Sequence, residues 1–225
     1  MSDHPFDEDD FLDRLTRRLD PVGGPDAPPT RTDYDLNPAF KPKAAPQLKQ
    51  AAVLVGLTRS RTGLSVVLTT RTQDMPTHAG QISFPGGKLQ ASDTGPEAAA
   101  LRESQEEVGL PPEAVTLFGR SPTYQTVTGY FVTPVVGLID GVFEPRPDPR
   151  EVADVFTTPI SFLMNPANHE RHERTWNGLS RAYYAMPYEG RYIWGATAGM
   201  LKALYERLYT DGEGQSDQGG ERARA

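Results

Sequence analysis

The chain has 225 residues, 37% of them hydrophobic and 9% aromatic, enough for the core of one ordinary domain. Its net charge of −7 repels polyanions, so general nucleic-acid binding is disfavoured, and a small anionic substrate needs a cation or local basic groups to approach. The absence of cysteine excludes a disulfide framework, a thiolate zinc site and thiol nucleophiles, and fits a reducing cytoplasm.

Residues 1–20 carry seven acidic residues and three arginines, with no basic n-region ahead of an apolar stretch, so no signal peptide is expected. Phe11, Leu12, Leu15 and Leu19 fall at helical spacing and predict a short amphipathic helix. Seven prolines between residues 21 and 46 predict an extended linker. Residues 1–50 are therefore expected to be mostly flexible, ahead of a folded domain over 51–210. The runs 51–57 and 64–70 are rich in β-formers and flank Arg61-Thr62-Gly63, the pattern of a hairpin.

Further along, Thr94 and Glu97 have the spacing of a capping box and Pro96 lies in the first turn, so a helix should start there. Gly109 and Pro111-Pro112 should end it, with Ala98, Leu101 and Val108 as its apolar flank. Residues 115–119, 130–139 and 152–156 continue the strand pattern, and 141–149 reads as a Pro-rich loop. Residues 161–167 suggest a short helix, 181–185 and 191–194 a late hairpin, and 196–208 a closing amphipathic helix with Met200, Leu201, Leu204 and Leu208 inward. The Gly-, Gln- and charge-rich tail 211–225 is expected to be disordered. No apolar run reaches the roughly 18 residues of a membrane span, so no membrane partner is expected. Strands interleaved with a few helices predict an α/β fold with a mixed sheet between helical layers.

The helix over 96–108 carries the chemistry. Glu103, Glu106 and Glu107 lie at i, i+3 and i+4 and project from one stripe. Like charges this close weaken a helix, and a divalent cation is the most economical compensation. Hard oxygen ligands without a thiol suit Mg²⁺ or Mn²⁺ better than zinc. Arg102 precedes Glu106 by four residues, the less favourable order for helical support, so it reads as a clamp that aims Glu106.

At Gly87, Arg102, Glu103, Glu106, Glu107, Gly109 and Leu110 the chain resembles the Nudix hydrolase family, whose signature is a Gly, a Glu, then R-E-U-x-E-E-x-G-U with U aliphatic. The five fixed positions from Arg to Gly recur by chance on the order of 10⁻⁴ times per chain, which separates them from an ordinary solvated face. Two departures stand out: Ser104 replaces an aliphatic residue, and the segment between Gly87 and Arg102 is one residue longer, with Thr94 at the place of the upstream Glu and Asp93 beside it. The coenzyme A pyrophosphatase branch is similar in that longer spacing. It is also similar in the upstream run Val67-Leu68-Thr69-Thr70-Arg71-Thr72, Gly80 and Phe84-Pro85-Gly86-Gly87, although Thr72 and Pro76 depart from its pattern. The stretches 126–130, 134–137, 151–152, 159–163 and 193–198 look like the same branch.

The resemblance implies a Nudix α/β/α sandwich with a mixed sheet. It implies Glu103, Glu106 and Glu107 as ligands of Mg²⁺ or Mn²⁺, with one of them, or a water they hold, as general base, and Glu151 as a weaker candidate. Arg102 joins the catalytic set, and Arg71, Gly86 and Gly87 are expected at the substrate. His78 is expected to orient its loop; His169 and His172 form H-x-x-H without a third ligand and read as a solvated segment. Tyr130 and Trp194 are candidates to stack on adenine, against ordinary core packing. The implied activity is hydrolysis of the diphosphate of coenzyme A or its acyl or oxidised derivatives to 3′-phospho-ADP and 4′-phosphopantetheine or its acyl form. The alternatives are a pyrophosphatase for NADH or ADP-ribose and a non-catalytic Nudix-fold binding module. The expected partner is a small nucleotide substrate, with a homodimer as one candidate oligomeric state.

Overall fold

The computed structural model describes residues 6–25, 28–43, 47–60, 63–74, 79–176 and 178–210. Helix α1 (Glu8–Arg18) and the short strand β1 (Arg31–Thr32) precede β2 (Lys49–Ser60), β3 (Gly63–Arg71), β4 (Ile82–Ser83) and β5 (Gly86–Lys88). Helix α2 (Pro96–Val108) leads to β6 (Val115–Arg120), β7 (Tyr124–Gln125), β8 (Tyr130–Ile139) and β9 (Val152–Pro159). The short helix α3 (Ile160–Leu163) is followed by β10 (Glu170–Trp176), β11 (Leu179–Tyr188), β12 (Arg191–Trp194) and the closing helix α4 (Ala196–Tyr209).

Strand β2 is apolar on both faces because it lies inside the sheet, covered on both sides. It runs parallel to β8 from Lys49↔Tyr130 to Leu57↔Leu138 and antiparallel to β3 near the turn, where Ser60 faces Gly63. At its other end it pairs with β5, Ala52 opposite Gly87 and Val53 opposite Gly86. Strand β3 also pairs with β4 and β9, and its register against β9 shifts between Thr70 and Arg71. Strands β6 and β7 join the far side of β8, and β1 lies parallel to β7, completing a mixed nine-stranded sheet. Ala51, Val55 and Leu57 of β2 pack towards α1, α3 and α4, whereas Ala52 and Leu54 meet Ala99, Ala100 and Val108 of α2. This is the expected α/β/α arrangement. Strands β10, β11 and β12 form a separate antiparallel sheet.

Several expectations are corrected. The amphipathic helix forms, with Asp7 capping the amides of Asp9 and Asp10, but it does not stand apart: Phe11 and Leu15 are fully buried. Arg14 donates to the Leu208 carbonyl of α4, and Arg207 of α4 donates to the Arg18 carbonyl and the Asp20 carboxylate. Residues 31–32 pair with β7, so within the described residues the segment before 51 is part of the domain and not a mostly flexible leader. The solvated stretch that carries His172 adopts a strand, β10, which the sequence pattern had not indicated. The apolar flank of α2 is Ala99, Ala100 and Val108, with Leu101 half-buried against it and Ala98 half-buried. Arg61, Thr62, Pro76, His78 and the tail 211–225 lie outside the described residues.

Candidate active site

Helix α2 starts differently from the expected capping box. Gly95 is the N-cap, with extended backbone and no side-chain cap, and Pro96 opens the helix with the φ it already favours. Glu97 is engaged elsewhere: its carboxylate accepts from Arg120 Nε at 2.7 Å and Nη2 at 2.9 Å and from the Gly23 amide at 2.9 Å. A charge-assisted bidentate pair outcompetes a cap open to solvent. The other end follows expectation. Gly109 is left-handed at φ 70°, its N–H reaches the Gln105 carbonyl, and Leu110 N–H reaches Ser104, a Schellman-type stop. Ser104, the departure from the aliphatic signature, is fully buried and donates its hydroxyl to the Ala100 carbonyl at 2.7 Å, so its polarity is satisfied within the helix.

The three glutamates of the stripe are not equivalent. Side-chain exposure is 57% for Glu106, 16% for Glu103 and 5% for Glu107, so the stripe runs from solvent into the protein. Glu107 accepts from the Gly86 N–H at 3.0 Å. A Cβ on Gly86 would stand 2.5 Å from the Ala52 carbonyl oxygen, and one on Gly87 2.6 Å from both carboxylate oxygens of Glu103. Gly87 therefore lets backbone lie against the Glu103 carboxylate where a side chain would push it away, and Gly86 lets β5 lie against the β2 backbone while its amide reaches Glu107.

Arg102 organises the outer part of the site. Its Nε and Nη2 donate to the two oxygens of Asp93 at 2.9 and 3.0 Å, and Nη2 also donates to the Lys88 carbonyl at 3.1 Å. Nη1 reaches Glu103 at 3.0 Å and Glu106 at 3.2 Å. The clamp read from the sequence is present, but its strongest grip is on Asp93, whose carboxyl that guanidinium holds below the usual range. Arg71 lies between Glu107 at 3.6 Å and Glu151 at 3.8 Å, which brings Glu151 into the same cluster.

Electrostatics follow from this packing. Burial pushes the Glu107 carboxyl up to about 7, opposed by the Gly86 amide and Arg71 and reinforced by repulsion from Glu103 and Glu151. Burial also raises Glu103, opposed by Arg102 and reinforced by Glu106 and Glu151. Four carboxylates thus repel one another across one small region, with an all-oxygen donor set that fits a hard divalent cation. Among the described residues no three acidic or histidine side chains converge in metal-holding geometry; Arg102, Arg71 and the Gly86 amide engage these carboxylates.

Other sequence candidates fall outside this cluster. His169 bonds to the Leu163 carbonyl and packs edge-on against Tyr205, whereas His172 bonds to Glu170 and Tyr192, so the H-x-x-H pair shares no ligand geometry. Trp194 packs edge-on with Tyr183, and Lys49 lies over the Tyr130 ring. Sequence reasoning missed the Glu97–Arg120 pair, since the two residues lie 23 positions apart and nothing in either local pattern joins them.

Comparison with known proteins agrees with this architecture. The NUDIX domain family matches residues 48–186. A Citrobacter koseri protein named uncharacterized Nudix hydrolase NudL is 41% identical over 157 residues, covering 69% of this chain and 81% of its own. The protein of the same name in Escherichia coli K12 is 39% identical over 156 residues, with the same coverage. Among solved structures, a Nudix hydrolase from M. smegmatis, RenU, matches 50% of this chain and 71% of its own with a TM-score of 0.43 at 25% identity. The Nudix domain of Shewanella oneidensis NrtR, complexed with ADP ribose, matches 57% of this chain and 82% of its own with a TM-score of 0.41 at 21% identity. The family match over more than half of the chain, on a sandwich that carries the signature helix against Gly86-Gly87, places it: the chain belongs to the Nudix family and is a Nudix hydrolase.

Proposed function

We propose that this protein is a pyrophosphohydrolase dependent on Mg²⁺ or Mn²⁺, and that it cleaves the diphosphate of coenzyme A or its acyl or oxidised derivatives. The products are 3′-phospho-ADP and 4′-phosphopantetheine or its acyl form. The observation that carries the reading is the packing of Glu103 and Glu107 against Gly86-Gly87, with Arg71 at 3.6 Å from Glu107. The upstream motif from Leu68 to Gly87 and the signature helix thereby meet at one place, which supports the branch that carries both. The bidentate Asp93–Arg102 pair supports the same branch, because Asp93 sits in the segment that is one residue longer than the general pattern.

Glu103, Glu106 and Glu107 would hold the cation, with Glu151 on the facing wall. A bound divalent ion supplies Lewis acidity towards the phosphate oxygens and lowers the pKa of an attacking water. The chain's own residues do the rest. Gly87 lets the strand lie directly against the Glu103 carboxylate, and the Gly86 amide donates to Glu107. Arg102 keeps Glu103 and Glu106 aimed, held in turn by Asp93 and the Lys88 carbonyl. Arg71, shared between Glu107 and Glu151, offers positive charge to an anionic substrate in a protein that is otherwise acidic. Glu103, Glu106 or Glu107, or a water they hold, takes the proton from the attacking water.

The test is a side-by-side comparison of kcat/KM for coenzyme A, dephospho-coenzyme A, NADH and ADP-ribose at fixed Mg²⁺, with mass identification of both products. Charge-assisted contacts to the 3′-phosphate are worth about 1.5–3 kcal/mol, so coenzyme A should exceed dephospho-coenzyme A by roughly ten- to a hundredfold. A preference for NADH or ADP-ribose would overturn the coenzyme A reading. Failure to cleave any of the four would overturn the pyrophosphohydrolase reading as well.

A further inference from the structure

Strand β10 is an edge. It pairs with β11 along seven residues, from Glu170↔Ala185 to Trp176↔Leu179, and no other strand pairs with it among the described residues. Glu170, Arg171, Glu173, Arg174 and Thr175 are exposed. An open strand edge presents a row of backbone donors and acceptors that can accept another strand, and proteins commonly blunt such edges with charged side chains or with proline. Here the four charges over 170–174, Glu-Arg-His-Glu-Arg, sum to zero in a chain of net charge −7. This edge is therefore a place where two acidic copies can approach without adding to their repulsion.

The order of those charges selects a register. In an antiparallel pair related by a two-fold axis at His172, Glu170 faces Arg174 of the second copy, and Arg171 faces its Glu173. Each of the two pairs then occurs twice. Successive side chains alternate between faces, so Glu170, His172 and Arg174 share one face and Arg171 and Glu173 the other. Both faces of the new seam are thus charge-matched. Moving the axis by half a residue towards Glu173 puts Arg171 opposite Arg174. Moving it by a full residue puts Glu173 opposite itself, or Arg171 opposite itself in the other direction. A parallel two-fold pair stacks like on like throughout. Opposite charges directly across an antiparallel pair stabilise it and like charges destabilise it, so a single register is favoured. His172, at the axis, is held by Tyr192 Oη at 2.6 Å and Glu170 at 2.6 Å.

We propose that the protein forms a two-fold symmetric homodimer by antiparallel pairing of β10 with β10 of a second copy, centred on His172. The two three-stranded sheets thereby join into one of six strands, an isologous interface in which the same edge serves both subunits. This inference stands independently of the substrate.

Sedimentation velocity of the full chain over a range of concentrations tests it. The wild type should show a concentration-dependent monomer–dimer equilibrium. Arg174→Glu sets two carboxylates against each other at both places where that position meets Glu170 of the second copy. Glu170→Arg does the same with two guanidinium groups, so each variant alone should dimerise at least tenfold more weakly. Mixed in equal amounts, the two variants restore opposite charge at every site and should form a one-to-one heterodimer of near wild-type affinity. A folding defect in either variant could not produce that rescue. A monomeric wild type across the whole range, a dimer unaffected by either variant, or a mixture that stays monomeric would each overturn the proposal.

Discussion

If Glu107 is a metal ligand, as proposed, its carboxyl makes metal binding to the free protein a proton-linked event whose sign and size can be worked out. Burial raises this carboxyl from the ordinary glutamate value of 4.5 to about 7, against the opposing Gly86 amide and Arg71. A cation on Glu107 requires the ionised form, so below pH 7 binding must first displace a proton. At pH 6 about nine-tenths of the sites are protonated, and at pH 8 about one-tenth. The apparent Mg²⁺ or Mn²⁺ dissociation constant should therefore be about tenfold weaker at pH 6 than at pH 8. Titration calorimetry in buffers of different ionisation enthalpy should detect close to one proton released per binding event at pH 6. The same group sets a stability trend in the metal-free protein. Its folded pKa lies above its unfolded value, so its contribution is fully present below about pH 4.5 and is lost as pH rises through about 7. A shift of this size corresponds to roughly 3 kcal/mol, and Glu107→Gln should remove that slope from metal-free melting curves. Equal metal affinity and no proton release at pH 6 and pH 8 would refute the reasoning and remove Glu107 from the ligand set.

Two substitutions probe what holds the site in place. Phe11→Ala empties a fully buried position between α1 and the sheet and should cost about 3–5 kcal/mol, lowering Tm by roughly 10 °C in thermal denaturation; an unchanged Tm would mean α1 does not dock. Gly87→Ala would set a Cβ 2.6 Å from both oxygens of Glu103 and turn that carboxylate aside. The Mg²⁺ concentration for half-maximal activity should rise about tenfold with little change in Tm, and an unshifted metal dependence would remove Glu103 from the ligands.

The sequence made the site helix legible because its signals are local: a stripe at i, i+3 and i+4, a glycine stop and a diproline. The sheet centre was legible for the same reason, since an apolar run as long as β2 has few other uses. The N-terminal segment was misread because its composition, acidic and then Pro-rich, resembles a linker, and the partners that bury Phe11 and Leu15 lie far along the chain. Strand β10 was hidden by the opposite problem. Glu-Arg-His-Glu-Arg carries no apolar alternation, because an edge strand in a separate three-stranded sheet has little core to face.

The departure from the general signature is the point at which sequence and structure explain each other. The segment between Gly87 and Arg102 is one residue longer, with Thr94 where a Glu is usual and Asp93 beside it. In the structure the neighbouring Asp93 takes both Nε and Nη2 of Arg102, and its Oδ2 also accepts from the Gln90 amide, so the extra residue closes a turn on its own carboxylate. A guanidinium bound bidentately at one end has a fixed plane, and its remaining nitrogen, Nη1, is aimed along that plane at Glu103 and Glu106. The lengthened segment therefore supplies, in Asp93, a brace for the guanidinium that reaches Glu103 and Glu106. That brace explains how the less favourable Arg-before-Glu order on the helix is tolerated: Arg102 is held from outside the helix and does not depend on the i,i+4 geometry for its place.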